Sequence, residues 1–148
     1  MAQRFYEGGA ASVAAASGAP YATIHTGANL VAAIREMGIF LNAATASSVE
    51  LIRPNNSPTA STSVLGQAQD TAQAASSVNL DTAWSTAPTI GSNVPLRKVL
   101  LPGTIGSGVI WTWPSGAGLI VPVSSYLVLW NFGAGAGSVL NFYVVWEE

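Results

Sequence analysis

The sequence contains no cysteine and a single histidine, and only 8% of its 148 residues are charged. Without cysteine there are no disulfides and no thiolate metal sites, and the redox compartment stays open. His25 and seven scattered acidic residues offer no metal-ligand spacing. No cofactor motif is present: 133-GAGAGS-138 does not fit Gly-x-Gly-x-x-Gly, and a strand pattern follows it where a phosphate loop needs a helix. The basic residues Arg4, Arg35, Arg53, Arg97 and Lys98 form no stripe and the net charge is −2, so nucleic-acid binding is not expected. No apolar run reaches about 18 residues, which argues against a membrane-spanning segment. The opening MAQRFYEGGAASVAAASGAP lacks a sustained apolar core, so no signal peptide is expected.

What is present is apolar. Hydrophobic residues make up 49% of the chain, and alanine dominates the first half. A typical soluble domain carries about 25% charged residues. Here Ser, Thr, Asn and Gln must supply the polar surface, or another chain must cover part of it. The length suits one domain with a real core, but a core of this size cannot hide half the residues completely.

Residues 1–20 are rich in Ala, Gly and Ser and predict a flexible N-terminal arm, free or laid along a neighbour. Residues 21–148 predict one β-domain. Its first strands fall at 21–26, 33–42 and 49–53. A long polar loop follows at 55–82, with one helical turn near 66–75. Further strands are expected at 83–87, 96–102, 108–114, 118–122, 125–131 and 138–148, separated by proline or glycine. The stretch 133–138 reads as a flexible hairpin connection. Short strands at this spacing indicate an all-β sandwich or barrel. Within 125–131, Tyr126, Val128 and Trp130 share one face and Leu127 and Leu129 the other. Within 138–146, Val139, Asn141, Tyr143 and Val145 oppose Leu140, Phe142, Val144 and Trp146. Strands with two apolar faces are covered on both sides, so one face is expected in the core and the other against another subunit.

No catalytic constellation stands out. A triad would need His25 with Asp70 or Asp81, and no Gly-x-Ser-x-Gly elbow accompanies them. His25 is expected on a strand with its ring at a surface or interface. Glu147 and Glu148 are adjacent, point to opposite faces and suit a solvated chain end better than an acid–base pair. The sequence 55-NNS-57 matches a glycosylation acceptor but also makes a good turn before Pro58. Trp111 and Trp113 share a strand face and could stack on sugar rings. Their apolar neighbours Val109, Ile110 and Leu119 favour anchoring the core or a subunit seam instead. The aromatic residues Trp111, Trp113, Trp130, Tyr143 and Trp146 form the expected interface set.

The segments 83-AWSTAPT-89, 96-LRKVLLPGTIGSGVIWTWP-114, 119-LIVPVSSYLVLWN-131 and 142-FYVVWEE-148 resemble a group of small virion structural proteins of tailed bacteriophages. Those chains open on a short Arg- or Tyr-containing segment and a Gly/Ala stretch, and end in a Trp-acidic strand. The resemblance covers about 83–148 well and 1–54 more loosely; the 55–82 segment carries none. It implies an antiparallel jelly-roll-type sandwich, assembled as a homotrimer on the outer surface of the capsid. The function implied is a decoration or cement protein with the major capsid protein as partner, or a tail or head fibre component that binds host glycans. In the cement reading the N-terminal arm or the 55–82 loop grips neighbouring capsid subunits.

Overall fold

The computed structural model describes residues 4–148. Among these, twelve strands and no helix are present. They are β1 (Phe5–Ala11), β2 (Pro20–His25), β3 (Ala32–Leu41), β4 (Ser47–Ile52), β5 (Thr59–Leu65), β6 (Gln67–Ala68), β7 (Asn79–Thr86), β8 (Arg97–Leu101), β9 (Gly108–Thr112), β10 (Leu119–Val121), β11 (Tyr126–Asn131) and β12 (Leu140–Glu147). All pairings are antiparallel, in two packed sheets. Sheet I has the order β10-β3-β12-β1-β6, with β9 beside the other half of β3; sheet II has the order β5-β7-β2-β11-β4-β8.

The interleaving defines the fold. Setting β5–β7 aside, sheet I holds β1, β12, β3 and β9/β10, and sheet II holds β2, β11, β4 and β8. The chain crosses between sheets at each of these steps except from β4 to β8 and from β9 to β10. That is the double Greek key of a jelly roll, and the all-β sandwich expected from the sequence is the architecture adopted. The inward face of β12 (Leu140, Phe142, Val144, Trp146) packs in one core with Tyr21, Ile24, Leu51, Leu127 and Leu129 of sheet II. Full burial of each large apolar side chain contributes about 1.5–3 kcal/mol. Trp146 is completely buried and stacks on Tyr6, ring centroids 6.1 Å apart.

Four expectations are corrected. Residues 5–11 are no free arm: β1 pairs with β12 along its whole length, from Phe5–Glu147 to Ala11–Asn141. Gly8 faces inward, where Leu80 and Trp146 supply the bulk that β1 lacks. The 55–82 segment is not one long loop and contains no helix, although a hydrogen-bonded turn closes at Asp70–Gln73, with Gln73 N donating to the Asp70 carbonyl at 3.0 Å. It holds β5, β6 and the start of β7, which extend sheet II beyond β2 and sheet I beyond β1. The 133–138 stretch joins no hairpin, because β11 and β12 lie in different sheets. This crossover is fixed by buried Asn131, whose side-chain nitrogen lies within 3.0 Å of the Ala15, Ala16 and Gly135 carbonyls. Finally, Glu147 is 7% exposed and paired with Arg35, while Glu148 accepts from Ser76 and, at 3.0 Å, from the Trp146 indole; neither is a solvated end.

Candidate functional site

Three surfaces combine unusual chemistry with access. The first is the outer face of sheet II. Ser63, Asp81, Thr23, Val128 and Ile52 stand in one cross-strand row over β5, β7, β2, β11 and β4. Directly opposed side chains meet, so the Asp81 carboxylate receives Ser63 Oγ at 2.6 Å and Thr23 Oγ1 at 2.8 Å. His25, two residues along β2, adds Nδ1 at 2.7 Å, and the Trp84 indole donates to Thr23 Oγ1 at 3.1 Å. Burial alone would raise the Asp81 carboxyl, but donation from His25, Ser63 and Thr23 outweighs it and holds the group below its ordinary value. Asp81 is fully enclosed, and so are Thr23, Val128 and Ile52. The apolar outer face expected on β11 is therefore partly covered by this same chain.

This network places His25 and Asp81 together but does not make a triad. A Ser–His–Asp relay needs the imidazole between the hydroxyl and the carboxylate. Here the carboxylate sits in the centre, and Ser63 donates to Asp81. Asp70 lies elsewhere, accepting from the Ala72 amide within its own turn. Beside His25, the Tyr126 ring (centroids 5.2 Å apart) borders an open cleft of about 320 Å³ between residues 53–57 and Ser124–Tyr126. Ser124 there has a left-handed backbone, φ 49°, uncommon for a residue with a side chain.

The second surface is the outer face of sheet I, where β1, β12, β3 and β9 lie side by side. Its register gives three rows: Glu7–Val145–Glu36–Thr112, Gly9–Tyr143–Gly38–Ile110 and Ala11–Asn141–Phe40–Gly108. Each aromatic residue has a glycine as its cross-strand neighbour. A Cβ on Gly38 would lie 2.1 Å from Tyr143 Cε1, and one on Gly108 would lie 2.2 Å from Phe40 Cδ1. The two rings therefore lie flat on the sheet, each resting on a glycine. Their centroids are 6.5 Å apart and their planes differ by 18°. The Tyr143 hydroxyl donates to Glu36 Oε1 at 2.6 Å, which fixes the ring and raises the phenol above its ordinary value. A groove of about 320 Å³ runs beside Tyr143 over Gly8 and Gly9, between Glu7 and Gln67. A bulge at Arg35–Glu36 turns both side chains outward, and Arg35 binds Glu147 and, at 2.7 Å, the Pro114 carbonyl.

The third surface is the β8–β9 side, where each sheet ends in an edge strand. Leu100 (71% exposed), Ile105 (68%) and Ile110 (53%) follow one another along β8, its connection and β9. β9 carries no charge and, among the described residues, pairs only with β3.

The expected aromatic interface set divides among these environments. Trp146 and Trp111 are in the core, at 0% and 8% exposure, and have no ring face to offer a partner or a sugar. Trp113 packs against the core with the Arg97 guanidinium 5.6 Å from its centroid. Trp130 is half-buried on the outer face of sheet II, in register with Glu50. Tyr143 is half-buried and outward-facing. Sequence reasoning passed over Phe40 and the glycine pairings; only strand register reveals them. Among the described residues, no group of three or more His, Asp or Glu is arranged to hold a metal.

The fold defines the class, a jelly-roll β-sandwich with an insertion between its fourth and fifth strand positions. No family model, no curated protein and no solved structure matches this chain.

Proposed function

We propose that the protein is a structural component of a tailed-phage virion, a decoration or cement protein. It assembles as a homotrimer and sits on the outer surface of the capsid against the major capsid protein. The observation that carries this reading is the β8–β9 side: two edge strands, one of them uncharged, flanked by exposed Leu100, Ile105 and Ile110. Open apolar edges invite pairing with another chain, and lone proteins normally blunt them with charge or cover. Jelly rolls are a recurrent capsid architecture, and the resemblance over 83–148 spans β8 to β12 and the second half of β7.

The mechanism is mechanical. With β1 built into the sandwich between β12 and β6, it is not free to reach a neighbour, and gripping is assigned to the β8–β9 side. Binding assembled shell and not free subunits stabilises the shell by mass action. Contacts this poor in charge should change little between about 0.1 and 1 M salt, a range that screens exposed ion pairs strongly.

Cryo-electron microscopy of particles that carry the protein tests this directly. Jelly-roll density on the outer capsid surface, in threefold clusters, is expected. Density confined to the tail, or none on the particle, would overturn the assignment.

A further inference from the structure

We propose that the outer face of sheet I is a carbohydrate-binding platform for neutral or amino sugars, with Tyr143 and Phe40 as its stacking surface. The two rings, their planes within 18° of parallel and their centroids 6.5 Å apart, each lie against a glycine on the outer face of the sheet. That spacing places one ring under each of two neighbouring sugar units. Stacking needs a flat, pre-fixed aromatic face, and this one is held by the Glu36 hydrogen bond and by the absence of side chains at Gly38 and Gly108. Sugar sites also need polar groups at the ring margin. Glu7 and Gln67 border the groove beside Tyr143, and Asn141 stands next to Phe40.

Charge selects the ligand. The three outward rows contain two carboxylates, Glu7 and Glu36, and no cation. Arg35, beyond them, is committed to Glu147 and the Pro114 carbonyl. An anionic polysaccharide would meet like charge; hydroxyls, acetamido groups or an ammonium would meet acceptors. This site uses none of the tryptophans and is independent of the virion reading: the chain could hold sugar as a monomer, or form a trimer that binds none.

The test is an array of neutral, N-acetylated, amino and anionic oligosaccharides, followed by calorimetric titration of the strongest neutral or amino binder. Tyr143→Ala and Phe40→Ala should each weaken binding at least tenfold, whereas Tyr143→Phe retains most of it. Gly9→Val guards against misfolding in the alanine variants. A Cβ there makes only ordinary contacts, the nearest at 3.4 Å, so the position accepts a side chain; with its fold checked by circular dichroism, this variant, whose γ-methyls enter the groove, should also lose at least tenfold. Binding of anionic sugars alone, no binding at millimolar concentration, or undiminished binding by folded Gly9→Val and Tyr143→Ala would each overturn the proposal.

Discussion

At the residue scale, the buried carboxylates do much of the polar work because donors enclose them. Asp81 shows this most clearly. Its carboxyl is held below the ordinary value of about 3.9. A depressed acid contributes stability that is complete above its unfolded value and is lost as pH falls through the folded value. Urea midpoints of the wild type should therefore fall below about pH 4. Asp81→Asn should lower the midpoint at pH 7 and flatten this acid dependence; equal acid slopes in both proteins would contradict the role. Trp146→Ala removes a fully buried ring stacked on Tyr6 and should cost about 3–5 kcal/mol in denaturant unfolding. A loss below about 1 kcal/mol would mean that the core is not centred there. None of these partnerships could be read from the sequence. His25 and Asp81 are far apart in the chain, and only the β2–β7 register brings them together.

At the element scale, legibility followed side-chain size. Strands with bulky alternation, such as β11 and β12, were placed to within two residues, and their inward and outward sets were correct. β1 was missed because FYEGGAA shows almost no alternation; its bulk comes from Trp146 and Leu80 across the interface. β5 was missed for the opposite reason. An edge strand exposed along most of its length needs no apolar face, and TASTSVL reads as turn material. The 133–138 crossover passed for a hairpin because local sequence does not say which sheet the next strand joins. Two predictions belong here. Deleting residues through Ala11 should abolish cooperative unfolding, since β1 lies between β12 and β6; an unchanged transition would restore the free-arm view. Leu100→Asp combined with Ile110→Lys should leave thermal stability nearly intact while dispersing the oligomer, because both side chains are already in water in the single chain.

At the scale of the whole molecule, the sandwich encloses its core unaided, while exposed apolar side chains remain at several places, Val64 and Leu65 on β5 and Ile120 on β10 as well as Leu100, Ile105 and Ile110 on the β8–β9 side. The core encloses Trp111 and Trp146, and sheet II buries part of its own outer face. The expectation of a C-terminal sheet apolar on both sides therefore narrows. The outward face of β12 carries Asn141, Tyr143 and Val145, a mixed surface suited to a small polar ligand. The open apolar side is formed by β8, β9 and their connection. An oligomer built there would meet the Tyr143 platform at Ile110, which stands in the same row across Gly38. Sedimentation equilibrium of the wild-type chain from about 1 to 100 µM tests self-association most directly. Three times the 15.1 kDa chain mass is expected, persisting in 1 M salt and collapsing to one chain in the Leu100→Asp/Ile110→Lys variant. A wild-type mass of one chain across the whole range would contradict it.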